Sequence, residues 1–152
     1  MFDKGTSILQ AIKSSLKEIT TANGYNVPIK NVYLYNAGEY INLNAESLPA
    51  VLIRGEEDFE QYAVGQRYTG TLSIELFVAF QHANIDSDIV DKFSKIKANI
   101  FKKITEDITQ GKSYIRNTIV NFIGHPVDTQ IKGVHEFKIG LTINYDFIAS
   151  IP

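Results

Sequence analysis

The chain has 152 residues, with 15 Lys and Arg against 17 Asp and Glu, a formal net charge of −2, 44% hydrophobic residues and 21% charged ones. This balance excludes a disordered polymer, and no apolar run approaches the roughly 18 residues that a bilayer-spanning helix needs. The slight acidic excess lacks the basic footprint of a sequence-specific nucleic-acid binder, and the absence of cysteine removes disulfides, thiolate nucleophiles, iron–sulfur clusters and Cys-containing zinc sites.

The opening residues Met1 to Ser7 show no charged segment followed by an apolar one, so no secretory signal is read and folding in a cytoplasm is expected. From Thr6 to Ala22, the residues Ile8, Leu9, Ile12, Leu16 and Ile19 recur at spacings of three and four, which predicts a helix with one apolar face. Asp3, Thr6 or Ser7 can cap its start, and Asn23 with Gly24 supplies the left-handed residues that end helices. Val27 to Leu48 reads mostly as loop, with Val32, Tyr33, Leu34 and Tyr35 as a possible short strand among the turn residues Asn36, Gly38, Asn42 and Asn44.

After Pro49, the run Ala50-Val51-Leu52-Ile53 predicts a central strand that ends in Arg54, Gly55 and the acidic cluster Glu56, Glu57, Asp58 and Glu60. Arg67 to Phe80 alternates cleanly, with Tyr68, Leu72, Ile74, Leu76, Val78 and Phe80 on one face. Its other face is polar at first and then turns apolar at Phe77 and Ala79. Gly65 and Gln66 offer a turn back toward Phe59 and Tyr62, which makes a hairpin.

Asp86 or Ser87 caps a second predicted helix, carried by Ile89, Phe93, Ile96, Ile100 and Ile104 and stopping near Gly111. Ile115 to Ile123 is a strand, Gly124 to Gly133 a loop, and Phe137 to Phe147 the most regular alternation in the chain. The order predicts one α+β domain over residues 1–152, a mainly antiparallel sheet with two helices packed on one face.

Candidate chemistry is thin. Gly111-Lys112-Ser113 has Glu106 where a phosphate-binding loop needs its first glycine, so a helix-terminating turn explains it. His82, His125 and His135 fall at no metal-binding spacing, although they could converge in space. Asp86, Asp88 and Asp91 lack the glycine and glutamate of a calcium loop and suit a helix N-terminus instead. With no nucleophile elbow and no other triad fragment, the expectation is a protein that is not an enzyme and uses no cofactor or metal.

Length supplies the stronger argument. A domain of this size is about 38 Å across, whereas fourteen strand residues extend about 46 Å. If Arg67–Phe80 and Val134–Phe147 are continuous, their ends project past the helices and leave edges for a partner. Alternatively, bulges or bends return each strand to its own core.

The layout also resembles a known family. The helix Ile8 to Ile19, the strand Leu48-Pro49-Ala50-Val51-Leu52-Ile53, the strand Arg67-Tyr68 through Leu72 and Ile74, the helix Phe93 to Ile104 and the closing Leu141, Ile143 and Tyr145 follow one order. That order is similar to the tail terminator, or tail-to-head joining, proteins of long-tailed bacteriophages. The resemblance implies a subunit of a hexameric ring in the virion, at the head-proximal end of the tail. Such a ring ends tube polymerisation and offers a docking face to head completion or connector proteins, with the tail tube protein and further copies of itself as partners.

Within that expectation, Glu56, Glu57, Asp58, Glu60, Arg67 and Tyr68 are the candidate interface, and exposed strand edges join neighbouring subunits in a heterologous ring. Charge reversal at Glu56, Glu57 and Asp58 is expected to weaken docking and leave the fold intact. Two alternatives stand beside it. One is another phage neck or completion protein; the other is a ligand-binding module with a pocket lined by Tyr33, Tyr35 or Tyr62 between helices and sheet.

Overall fold

The computed structural model describes residues 3–61 and 67–148. Asp3 starts the first helix, α1 (Lys4–Lys17), by accepting the Thr6 amide at 2.7 Å. This helix is shorter than its apolar spacing predicts. Thr20 stands in extended backbone and its hydroxyl accepts the Asn23 amide, so a separate 3-10 turn forms at Thr21–Asn23 and the left-handed Gly24 ends that turn instead of α1. Ile19 stays buried although it lies beyond the helix.

Within the segment read mostly as loop, the short strand suggested by Val32 to Tyr35 forms as β1 (Asn31–Leu34), which runs parallel to β2 (Ala50–Gln61). β2 itself does not stop at the acidic cluster. It continues through Glu56, Glu57, Asp58 and Glu60 and pairs antiparallel with β3 (Arg67–Gln81) without a break, from Ala50 opposite Ala79 to Gln61 opposite Tyr68. Charge therefore does not end the strand, because the ladder with β3 satisfies the backbone whatever the side chains are. The predicted turn residues Tyr62, Gly65 and Gln66 lie outside the described residues.

The second helix, α2 (Asp86–Thr105), begins one residue earlier than an Asp86 cap would place it. Ile85 occupies the cap position without a side-chain bond, and Asp88 reaches back to accept the Ala83 amide at 2.6 Å. The helix stops at Thr105, before the turn in which Gly111 takes a left-handed φ of 72°, so Gly111-Lys112-Ser113 is a turn after a helix. At the ends of the two helices, Lys103 bridges Glu106 at 2.7 Å and Glu18 at 2.6 Å.

The chain then forms β4 (Ile115–Ile123), the two-residue β5 (Val127–Asp128) inside the predicted loop, and β6 (Val134–Ile148). The sheet order is β1-β2-β3-β6-β4, with β5 also pairing with β6. Every pairing except β1 with β2 is antiparallel, so the class is α+β with a mostly antiparallel six-stranded sheet.

Both helices cover one face. Ile8, Leu9, Ile12 and Leu16 of α1 and Phe93, Ile96, Ile100 and Ile104 of α2 are buried in a single cluster with Ile53, Leu72, Ile74, Leu76, Ile139, Leu141 and Ile143. Each such side chain contributes about 1.5–3 kcal/mol by leaving water. On the opposite face residues between β1 and β2 fold over the sheet: Leu48, Ala50, Ala79 and Val134 are buried there, with Tyr33, Ile41 and Leu43 packed against them.

Candidate functional site

β3 and β6 are each fifteen residues long and stay in register from Arg67 opposite Ile148 to Gln81 opposite Val134. Neither bends back. At about 3.4 Å per residue the pair spans about 50 Å, whereas the fourteen residues of α1 and the twenty of α2 reach about 21 and 30 Å. The excess is not shared between the two ends. At the Gln81–Val134 end, the His82 amide donates to the Gly133 carbonyl at 2.8 Å and the chain folds over the sheet. At the other end, the strands run on beyond α1 as an arm.

The level at which cover stops is marked by Glu57. Its carboxylate accepts from the Tyr145 hydroxyl at 2.9 Å and lies against Gly5 in the first turn of α1, so closely that a Cβ on Gly5 would collide with it. The Tyr145 ring is buried. Burial raises its hydroxyl well above the ordinary tyrosine range, and the hydrogen bond to Glu57 acts in the same direction. From Glu57 to Gln61 the arm runs about 13 Å further.

Aromatic rings take the place of helices on this stretch. Tyr68 stacks on Phe147 at 5.3 Å, Phe59 meets Phe147 edge-on at 5.2 Å, and Tyr145 lies 5.9 Å from Phe147. Phe147 is buried by its neighbours, while Phe59 remains 51% exposed. Tyr145 also lies across Gly70, its direct cross-strand partner, where any Cβ would strike the ring. Phe122 covers Gly140 in the same manner, again as direct partners, on the open face. In both pairs an aromatic ring shields the backbone of a glycine.

The other face of the arm is polar and acidic. Glu56, Asp58 and Glu60 are exposed and stand opposite Ser73, Thr71 and Thr69 of β3. Glu56 makes a loose ion pair with Arg54 at 3.6 Å; Asp58 and Glu60 have no ion-pair partner among the described residues. Arg67 is exposed at the start of β3, and nearby Arg116 contacts Asp146 at 3.3 Å and the Thr69 hydroxyl at 3.0 Å. The six candidate interface residues therefore divide. Glu56, Asp58, Glu60 and Arg67 present charge to solvent; Glu57, also exposed, accepts from Tyr145, and Tyr68 is half-buried against Phe147. Charge reversal at Glu57 would also remove the acceptor of the Tyr145 hydroxyl, so it tests more than docking.

The outer edge of β2 is the remaining feature. β1 pairs only with Ala50 to Ile53, and beyond it the Asn36 side chain substitutes for a strand, accepting from the Gly55 amide at 2.9 Å and donating to the Gly55 carbonyl at 3.0 Å. Strand alternation turns the backbone groups of Glu57, Phe59 and Gln61 to the same outward side. No strand among the described residues pairs with them. The opposite edge of the sheet differs, since β4 carries register shifts between Ile115 and Asn117 and between Val120 and Phe122, the irregularities that blunt an edge.

Other residues that sequence spacing singled out lie elsewhere. Tyr33 packs on the open face under Leu48, and Tyr35 is exposed beside Tyr40 and Arg54. Tyr62 lies outside the described residues. His82 and His135 converge at 2.6 Å, a meeting that their separation of 53 residues gave no means of reading. His125 and His135 line one hollow of about 620 Å³ beside α2. Among the described residues, no group of three His, Asp or Glu is placed to hold a metal ion, and no helix is long and apolar enough to cross a membrane.

No family model matches the chain, and no curated protein matches it.

Proposed function

We propose that this protein is a structural subunit that closes into a head-to-tail ring, and that the ring caps the tail tube of a long-tailed phage in the virion. There it ends tube growth and offers a docking face to the head's connector or completion proteins. The observation that carries the reading is the arm: a ribbon of β2, β3 and β6, flanked by β4 as far as Ile115 opposite Tyr145, that outruns the helices and, among the described residues, keeps one unpaired edge at Glu57 to Gln61. An extended edge with free backbone donors and acceptors is a template for another strand, and a heterologous contact repeated by rotation gives a closed ring. The layout of elements, similar to tail terminators, chooses this ring among the assemblies that such an edge permits.

In this reading the two surfaces of the arm have separate tasks. The bare edge of β2 joins neighbouring subunits, and the acidic row Glu56, Asp58 and Glu60 faces the tube or the connector. Nothing in the reading requires catalysis, a cofactor or a metal.

Mixing the purified protein with tail tubes and imaging the tube ends tests it. A distinct ring at one end of each tube is the expected result, and bare ends across a range of salt concentrations would overturn it. The triple variant Glu56→Lys, Asp58→Lys, Glu60→Lys refines the assignment. It should unfold within about 0.5 kcal/mol of the parent, because these side chains are exposed, while losing attachment to the tube or the connector.

A further inference from the structure

At the sealed end of the sheet, two imidazoles meet in an arrangement whose proton count is fixed by their neighbours. The Asn84 amide donates to His82 Nδ1 at 2.9 Å, so that nitrogen carries no proton, and neutral His82 must carry its proton on Nε2. His82 Nε2 stands 2.6 Å from His135 Nδ1. His82 is therefore the donor and His135 Nδ1 the acceptor, which places the proton of neutral His135 on Nε2. The bonds run one way, from Asn84 to His82 to His135.

This chain of bonds has no place for a further proton. A proton on His135 Nδ1 would confront the His82 Nε2–H, and one on His82 Nδ1 would confront the Asn84 amide. Asp128 Oδ1 lies 3.3 Å from His135 Nδ1, so a carboxylate stands beside the pair. A proton entering at His82 Nδ1 keeps the bond from His82 to His135 and removes the acceptor of the Asn84 amide.

We propose that His82 and His135 form an acid-released latch, in which a proton taken up at His82 Nδ1 expels the Asn84 amide and frees the junction at residues 82–85 between β3 and α2. The junction is built to move once freed. Asn84 sits at a left-handed φ of 60°, an uncommon conformation for a residue with a side chain, and the bond to His82 is among those that hold it. Residues Asp86, Ile89, Val90 and Phe93 of α2, just beyond the junction, line the hollow of about 620 Å³ with His125, Pro126 and His135, so release loosens one wall of that hollow.

The charged groups around the pair are defined. Asp88 and Lys92 of α2 act on His82 in opposite senses, Asp128 of β5 and His135 of β6 face it from the sheet, and Asp86, Lys97 and His125 share the hollow with His135. Burial first, and His135 second, hold the His82 imidazole below the ordinary value of 6.5. The sign follows from linkage. An unfolded His82 takes up its proton at about 6.5 and the folded one at lower pH, so the latch contributes fully above 6.5 and loses its contribution as pH falls through the folded value.

Titration of the intact protein by nuclear magnetic resonance from pH 8 to 5 tests the latch, following the His82 ring nitrogens and the Asn84 amide together. The two signals should move with one midpoint below 6.5. Asp128→Asn, an exposed change that leaves the fold in place, should shift that midpoint to lower pH by about half a unit by removing a nearby negative charge. In His82→Gln the Asn84 step should vanish. An Asn84 amide that stays fixed while His82 titrates, or an unchanged midpoint in Asp128→Asn, would overturn the proposal; the latter needs no stable His82 variant.

Discussion

At one end of the β3–β6 pair, loops, two histidines and the start of α2 close over the strands; at the other, the same two strands run on with rings and carboxylates for cover. The backbone ladder is equally regular at both. What differs is how water is kept away. The closed end hides Ala79, Phe80 and Val134 under chain that returns from elsewhere, whereas the arm hides Phe147 beneath Tyr68 and Phe59, from strands already in the ladder. A sheet can thus extend beyond its helices when neighbouring strands shield each other, but the outermost ring is left half in water.

Breaking the shielding should have the largest effect where the ring cannot move. Gly70→Ala drives a methyl group into the buried Tyr145 ring and should cost about 2–3 kcal/mol, measured by urea unfolding. Gly140→Ala makes the same collision with Phe122, but that ring is 47% exposed and can swing into solvent, so about 1 kcal/mol is expected. Equal losses at the two glycines would show that Tyr145 is no better anchored than Phe122.

A smaller effect is expected from Tyr145→Phe, which keeps the ring and deletes the hydroxyl that Glu57 accepts from. Its cost should be about 1 kcal/mol, since the carboxylate can turn to water. Smallest of all, Phe59→Ser should change monomer stability by less than about 1 kcal/mol, because half of the ring is already wet. The same variant should increase hydrogen exchange at the outer end of β2 and leave the closed end unaltered.

Periodicity made most of this architecture legible, and where it failed the cause was local. The alternation of Phe137 to Phe147 and the helical spacing of Phe93 to Ile104 were read correctly because one buried face imposes a single period over many residues. β1 shows in the sequence only as a short-strand alternative to loop, because four residues hold little pattern and its parallel partner lies beyond two 3-10 turns. The strand through Glu56 to Glu60 was cut short because its outward side chains are all acidic, and only the helix-side positions Gly55, Glu57 and Phe59 carry the sheet onward. Glu57 illustrates the limit at the candidate site: nothing in its sequence neighbourhood separates it from Glu56 and Asp58, yet Gly5 and Tyr145 engage it from 52 and 88 residues away. The histidine pair was hidden for the same reason.

The Asn36 carboxamide at Gly55 fixes more than the limit of β1. By using the outward groups of Gly55, it leaves those of Glu57, Phe59 and Gln61 as the next places not taken by a strand among the described residues, two residues apart. A strand arriving there cannot slide continuously. It must settle in increments of about 6.8 Å, and an odd-residue offset would turn its opposite side toward Phe59. The edge therefore behaves as a ruler with coarse gradations, able to set the spacing between molecules before any side chain contributes to the choice.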